Sequence, residues 1–112
     1  MPTSRDERVD TETLECASSV LSGKWNTATV RELLDNGPQG FSDLEGALGD
    51  ISGKVLSDCL DSLQSEGIVE RRIVQQKPLR VEYALTAKGY DLKPVIEELE
   101  SWAKLYPVED QS

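Results

Sequence analysis

The sequence predicts a mainly α-helical domain with one β-hairpin, which is an α+β fold class. Over most of the chain, apolar residues recur every three or four positions, the spacing that buries one face of a helix. Between residues 68 and 85, apolar and polar residues alternate and many side chains are β-branched, as in strands. The length of 112 residues suits one domain, which we place at residues 11–106.

The first two helices are predicted from apolar spacing and from the residues that end them. One helix is expected at residues 11–22 and a second at residues 24–34. The sequence Asn-Gly-Pro at 36–38 then ends the second helix, because Gly can take the left-handed cap and Pro cannot extend a helix. Residues 1–10 are expected to be a flexible acidic tail, and residues 107–112 a second tail.

Two capping patterns predict a pair of short helices in the middle of the chain. Ser42 is followed three residues later by Glu45, the spacing of a capping box at the start of a third helix. Ser52 is the predicted N-cap of a fourth helix, which Gly67 ends. Two short helices joined by a turn of a few residues form a helix-turn-helix, here at about residues 42–66.

The alternating segment predicts a hairpin at residues 68–85 whose polar tip, residues 75–78, includes a proline. Thr86 is the predicted cap of a last helix at residues 87–106, where apolar residues again follow helical spacing. Pro94 is expected in the first turn of that helix, or to kink it if the helix begins at Thr86. A helix-turn-helix followed at once by a hairpin is the order of a winged helix-turn-helix domain.

Positive charge is concentrated on the predicted hairpin of an otherwise acidic chain. The net charge is −9, yet RRIVQQKPLR at residues 71–80 holds four of the 12 basic residues and no acidic one. Such charges are either the solvated face of an exposed hairpin, paired with nearby acids, or a surface that binds phosphate. The helix-turn-helix directly upstream favours DNA, because a basic surface and a DNA-binding motif then coincide. The acidic excess elsewhere is typical of a high-salt cytoplasm, such as that of a halophilic archaeon.

In a winged helix, the second helix of the pair, here residues 52–66, lies in the major groove, and the hairpin contacts the flanking backbone or minor groove. Lys54 and Ser57 are the preferred candidates for DNA contact, near a helix start whose dipole favours phosphate. Asp58 could accept from cytosine N4, although an exposed aspartate is more often plain surface and would repel phosphate. The residues predicted to bind DNA are Ser42, Ser52, Gly53, Lys54, Ser57, Asp58, Arg71, Arg72, Lys77 and Arg80.

The composition disfavours an enzyme and a metal site. The chain has no histidine and two cysteines, so the common zinc ligand sets and histidine-activated nucleophiles cannot be built within it. It has no GxxxxGK[ST] or GxGxxG loop, and no cofactor is expected. No apolar run approaches the roughly 18–20 residues that span a bilayer. The polar N-terminus lacks the apolar segment of a secretory signal, so we expect a cytoplasmic protein without membrane contact.

Four stretches, in this order along the chain, carry a resemblance to a known family. They are SGKW at 22–25, RELLDNGPQGFSDLEGAL at 31–48, ISGKVLSDCLDSLQSEGIVERR at 51–72 and RVEYALTAKG at 80–89. They resemble the HxlR-type, MarR-related winged-helix transcriptional regulators. The similarity covers residues 14–103, which is most of the chain.

This resemblance implies a homodimeric regulator that binds a pseudo-palindromic operator in double-stranded DNA. It places the recognition helix at residues 52–66, the wing at residues 69–85, and the dimer contacts on the N-terminal and C-terminal helices. Ordinary core packing is the alternative role for Trp102 and its neighbours. A small-molecule or redox effector is compatible with the family but is not identified. The residues expected at the dimer interface are Leu14, Leu21, Leu92, Val95, Ile96, Leu99, Trp102 and Tyr106.

The chain departs from the family pattern at its N-terminal cysteine. Many relatives carry a Cys-Pro pair tied to thiol-based redox sensing, and Glu12 and Thr13 stand at that place here. Cys16, about one turn later, is the candidate redox residue, although a cysteine on an apolar helix face is more often a packing residue. Cys59 is expected to pack in the core. The acids of the recognition helix leave a second function open, that of a winged-helix module that binds protein and makes little direct contact with DNA.

Overall fold

The computed structural model describes residues 11–20 and 22–106, which form six helices and one antiparallel hairpin. The predicted mainly α-helical fold with a hairpin is confirmed. None of the described helices is long and apolar enough to cross a membrane. In chain order the elements are α1 Thr11–Val20, α2 Gly23–Asn36, α3 Phe41–Leu48, α4 Gly53–Ser65, β1 Val69–Gln75, β2 Arg80–Leu85, α5 Ala87–Tyr90 and α6 Lys93–Lys104.

The hydrophobic core lies between α2, α3, α4 and the base of the hairpin, and one residue of α6 also enters it. Every core side chain is aliphatic, and full burial of such a side chain contributes about 1.5–3 kcal/mol. The core residues are Val30, Leu33, Leu44, Ile51, Leu56, Leu60, Leu63, Ile68, Val69, Leu85 and Ile96.

The start of α3 differs from the prediction, because Ser42 does not cap it. Gly40 is the N-cap, its carbonyl accepts from the Leu44 N–H at 3.0 Å, and no side chain caps the helix. Phe41 begins the helix and packs its half-buried ring against the core. Packing of this ring therefore sets the start of the helix, and Ser42 is exposed in its first turn.

Both ends of α4 follow the sequence prediction. The Val55 N–H donates to Ser52 Oγ at 3.1 Å, so Ser52 is the N-cap. At the other end Gly67 has a φ of 75°, and its N–H donates to the Gln64 carbonyl at 3.0 Å. The Ile68 N–H reaches back to the Leu63 carbonyl at 2.9 Å, which completes a Schellman cap and carries the chain directly into the wing.

The hairpin pairs β1 with β2 in antiparallel register, with an irregularity between Ile73 and Gln75 and a turn at residues 76–79. A third segment joins this sheet outside the predicted hairpin. Gln39 exchanges two backbone hydrogen bonds with Tyr83, at 3.0 and 2.8 Å, and so attaches the α2–α3 loop to β2. The wing is thereby fixed against the helix-turn-helix along one edge.

The predicted last helix is two helices. Thr86 caps only the short helix α5, where its Oγ1 accepts from the Gly89 N–H at 3.1 Å. The chain then turns, and Pro94 lies in the first turn of α6. A continuous helix would need an N–H at Pro94 and would place its ring against the carbonyl of Tyr90, so the helix restarts just before the proline.

Candidate nucleic-acid interface

Helix α4 has one buried face and one exposed polar face. Leu56, Cys59, Leu60 and Leu63 are buried at helical spacing. Gln64 is half-buried and donates to the Leu60 carbonyl at 3.2 Å. The exposed polar face, here called the α4 face, consists of Lys54, Ser57, Asp58, Asp61 and Ser62.

The α4 face carries one cation, and an acid already pairs with it. Lys54 Nζ lies 3.2 Å from Asp58 Oδ2, and both side chains are well exposed, at 82% and 65%. An exposed pair of this kind contributes about 0–1 kcal/mol, so phosphate or a base can compete for the ammonium group. With Asp61 one turn further along, the α4 face has a formal charge of −1.

A third acid lies at the start of α4. A Cβ placed on Gly53 would lie 3.3 Å from a Glu45 carboxylate oxygen, so α3 brings this carboxylate to the first turn of α4. The carboxylate is favourable beside the positive end of the helix dipole, and it competes with any phosphate there. Ser52 is exposed, but its hydroxyl oxygen already accepts the capping hydrogen bond from Val55.

The wing differs from the α4 face in that most of its cations are not paired with an acid in the described part of the chain. Arg71, Arg72, Lys77 and Arg80 are all exposed, and the two adjacent arginines point to opposite faces of the strand. Arg72 Nε lies 3.1 Å from Glu70 Oε2 and stands opposite Glu82 in the register. The other three cations have no ion pair in the described part of the chain. The alternative interpretation, in which the wing cations are paired with nearby acids, therefore applies to Arg72 but not to the other three.

Apolar side chains that the sequence did not single out also lie on the wing. Ile73, Val74 and Leu79 are each about half or more exposed, at 52%, 47% and 61%. They surround the turn that carries Lys77. The hairpin extends beyond the core, so these side chains are exposed to solvent.

A second exposed apolar surface lies on α1 and α6. Within the described residues, α1 makes at most marginal contact with any other element. Leu14 of α1 is 58% exposed and Trp102 of α6 is 62% exposed. We call this set the α1–α6 face: Leu14, Val95, Leu99, Trp102, Leu105 and Tyr106.

The predicted dimer residues divide into three groups. Val95, Leu99, Trp102 and Tyr106 join Leu14 on the exposed α1–α6 face, and Leu105 was not predicted there. The prediction for Ile96 is corrected, because this residue is 1% exposed and packs in the core of the chain, and Leu92 is half-buried against that core. Leu21 lies outside the described residues, as does the side chain of Cys16, the candidate redox residue.

Cys59 is the cysteine whose side chain the structure describes, and it is buried in α4. Burial, and secondarily the Asp58 carboxylate, raises the pKa of the Cys59 thiol above its ordinary value of 9.0. The thiol is therefore protonated at neutral pH and a poor nucleophile.

No group of three potential metal ligands occurs among the residues that the structure describes.

The model of the HxlR-like helix-turn-helix family matches residues 20–111, most of the chain. The chain belongs to the HxlR-like family. YvaP, an HTH-type transcriptional regulator of Bacillus subtilis, is 45% identical over 89 residues, which cover 80% of this chain and 82% of YvaP. The structure of the reduced form of YodB from B. subtilis aligns with a TM-score of 0.79 at 33% identity, covering 88% of this chain and 95% of that one. The quinone-bound structure of YodB aligns with a TM-score of 0.73 at 34% identity, covering 85% and 99%.

Family membership establishes that this HxlR-like protein is a transcriptional regulator of the helix-turn-helix type, a class that binds DNA. The LTAKG block, one of the stretches that carried the resemblance, now has a structural explanation. Thr86 Oγ1 donates to the Gly67 carbonyl at 2.5 Å, and Lys88 Nζ donates to the Glu66 carbonyl at 2.7 Å. These bonds connect the end of α4 to the segment that follows the wing.

Proposed function

We propose that this HxlR-like regulator binds a pseudo-palindromic operator as a homodimer, with α4 in the major groove and the wing on the flanking backbone or minor groove. The observation that carries the proposal is the set of three exposed, unpaired cations on the wing, Arg71, Lys77 and Arg80, within the described part of the chain. They supply unpaired positive charge for phosphate in a chain of net charge −9.

The wing and α4 have different roles in this proposal. The wing cations contact phosphates and add affinity for any sequence, while Ile73, Val74 and Leu79 supply apolar contact with deoxyribose. Lys54 and Ser57 contact base edges, since the N-terminal part of a recognition helix lies nearest to the bases. Ser42, Ser52 and Gly53 lie at the starts of the two helices, where we assign them contacts to the backbone.

The proposed dimer rests on the exposed α1–α6 face. An isolated ten-residue helix such as α1 is marginal in water, so a helix with almost no contact to the described part of its own domain needs another surface. On α6 a shallow, mainly apolar groove offers such a surface, and it is lined by Pro94, Val95, Glu98, Leu99 and Trp102. We infer that α1 and α6 of two copies bury these residues together, while Ile96 and an Arg31–Glu100 contact of 3.5 Å hold α6 to α2.

Replacing Leu99 and Trp102 together by serine is expected to convert the dimer into a monomer. A monomer engages one half-site, so its affinity for the full operator should fall by about a hundredfold or more. Sedimentation velocity gives the mass, and fluorescence anisotropy with an operator duplex gives the affinity. Leu79→Ser is the matched control, because it removes an equally exposed apolar side chain from the wing and should leave the dimer intact. A double variant that still sediments as a dimer would refute this interface.

We also propose that any thiol-based response uses Cys16, because the buried Cys59 thiol is kept protonated. A quinone is a reasonable electrophile to test, since YodB has been solved with quinone bound. Mass spectrometry after brief alkylation at neutral pH is expected to show Cys59 unmodified in the folded protein and modified in urea. Cys16→Ser should abolish any effect of the quinone on DNA affinity, and Cys59→Ala should not. Modification of Cys59 in the folded protein would contradict the account.

A protein-binding module is the alternative function, favoured by the acidic α4 face. Purification of the protein from its own cells separates the two functions. The DNA proposal predicts recovery of specific DNA fragments, whereas the alternative predicts a reproducible protein partner and no enriched DNA.

A further inference from the structure

The α4 face is an unusual surface for contact with DNA, because acids outnumber cations on it. Its one cation, Lys54, is 3.2 Å from the Asp58 carboxylate, and Asp61 lies about one turn further along the helix. Among the described residues, all three unpaired cations of the candidate interface are on the wing. Phosphate attraction and base contact are therefore separated into two elements.

We propose that Asp58 is a specificity-determining residue that selects a cytosine in each half-site and disfavours all other DNA. This inference rests on the proposed DNA-binding function and assigns a task to one residue of that site. A carboxylate is an acceptor only. It repels phosphates, and it also repels the N7 and O6 acceptors of guanine and the O4 of thymine in the major groove.

Cytosine is the base that fits this carboxylate. It presents the N4 amino donor in the major groove with no acceptor beside it on the same base, whereas adenine presents the acceptor N7 next to its N6 donor. Asp58 lies in the N-terminal half of α4, the part that reaches base edges in helix-turn-helix proteins, and its side chain is 65% exposed. Asp61, further from that end, is less well placed for a base contact.

The ion pair with Lys54 strengthens this selection. Residues four apart lie on one side of a helix, so Lys54 and Asp58 face the same part of the groove. On non-cognate DNA, Lys54 must leave Asp58 to reach a phosphate, and the carboxylate is then left without a partner. On a cognate site, Lys54 can donate to guanine O6 or N7 while Asp58 accepts from cytosine N4, so both charges stay satisfied.

The test compares Asp58→Asn with the unaltered protein on two duplexes. One carries the sequence that the unaltered protein selects from a random library, and the other is a scrambled duplex of equal length. Asparagine keeps the shape of the side chain and removes the charge. Affinity for the scrambled duplex is expected to rise about tenfold while cognate affinity changes far less, so the ratio of the two falls. Selection with the variant should also lose the enriched cytosine in each half-site.

Asp91→Asn is the matched control, because it removes one exposed carboxylate at the α5–α6 junction, outside the candidate interface. It should change neither affinity. If the unaltered protein selects a sequence but Asp58→Asn leaves the affinity ratio and the base preferences as they were, Asp58 does not determine specificity and the inference is overturned. If the unaltered protein selects no sequence at all, the proposed function itself is overturned.

Discussion

Replacing Arg71, Lys77 and Arg80 together by alanine is expected to abolish most of the affinity for DNA, whatever its sequence. Each is an exposed cation without an ion pair in the described residues. A phosphate that no longer meets a cation keeps its condensed counterions, so binding releases fewer of them. The slope of log affinity against log salt concentration should become shallower by about three per subunit. Affinity at low salt should fall by about a hundredfold or more, as measured by anisotropy on operator and scrambled duplexes across several salt concentrations.

A control for this variant comes from the neighbouring ion pair. The double change Glu70→Gln with Arg72→Gln removes one paired cation and its partner and leaves the net charge of the chain unchanged. Because the lost cation and the lost acid cancel, the net charge of the wing is unchanged, and DNA affinity should stay within about threefold of that of the unaltered protein. If the double variant loses as much affinity as the triple variant, the distinction between free and paired wing cations is wrong.

Gly89→Ala is expected to destabilise the protein, because among the described glycines an added Cβ meets the closest contacts at Gly89. A Cβ at this position would overlap the Ile68 carbonyl oxygen and would lie 3.0 Å from a methyl group of Leu85. The backbone of α5 or of the α4–β1 junction must therefore move, which costs about 3 kcal/mol. Such a loss is a large share of the roughly 5–15 kcal/mol that stabilises a domain.

The control for Gly89 is Gly46, an exposed glycine inside α3 whose added Cβ meets no atom within 4 Å. Alanine is the better helix former, so Gly46→Ala should stabilise the protein by about 0.5–1 kcal/mol. Urea denaturation at fixed protein concentration gives both values. Equal midpoints for the two variants would show that α5 is not pressed against Ile68 as described.

The parts of the fold that depend on local chemistry were predictable. Ser52 and Gly67 set the ends of α4, because the Ser52 hydroxyl accepts from a first-turn N–H and Gly67 takes the left-handed cap. The strands of the wing were predictable for the same reason, because the alternation of apolar and polar residues is also a local pattern. The prediction that Ser42 caps α3 was wrong, because packing of Phe41 sets the start of that helix and packing depends on distant residues.

Other features depend on neighbours that are remote in the sequence. The Gln39–Tyr83 pairing involves a single residue on each side, too short for a strand pattern. Helical spacing placed Ile96 on the apolar face of α6 but could not tell that α2 covers it, whereas Trp102 stays exposed. The high-salt origin inferred from the acidic composition stays a prediction.

The candidate site was predictable in its location but not in its charge balance. All four wing cations were identified, yet which of them is free depends on the pairing of Arg72 with Glu70. Lys54 was identified too, but its contact with Asp58 depends on side-chain conformation as well as spacing. The acids of α4 were evident from the sequence, whereas the structure adds which cations of the site are paired with them and with Glu70.

Selection of bound duplexes from a random library by the unaltered protein, followed by sequencing, tests the central claim most directly. A homodimer with one recognition helix per subunit predicts two half-sites related by two-fold symmetry, with centres about 10–10.5 base pairs apart or a multiple of that spacing. Recovery of unenriched sequence, or of one asymmetric element bound by a single chain, would contradict it.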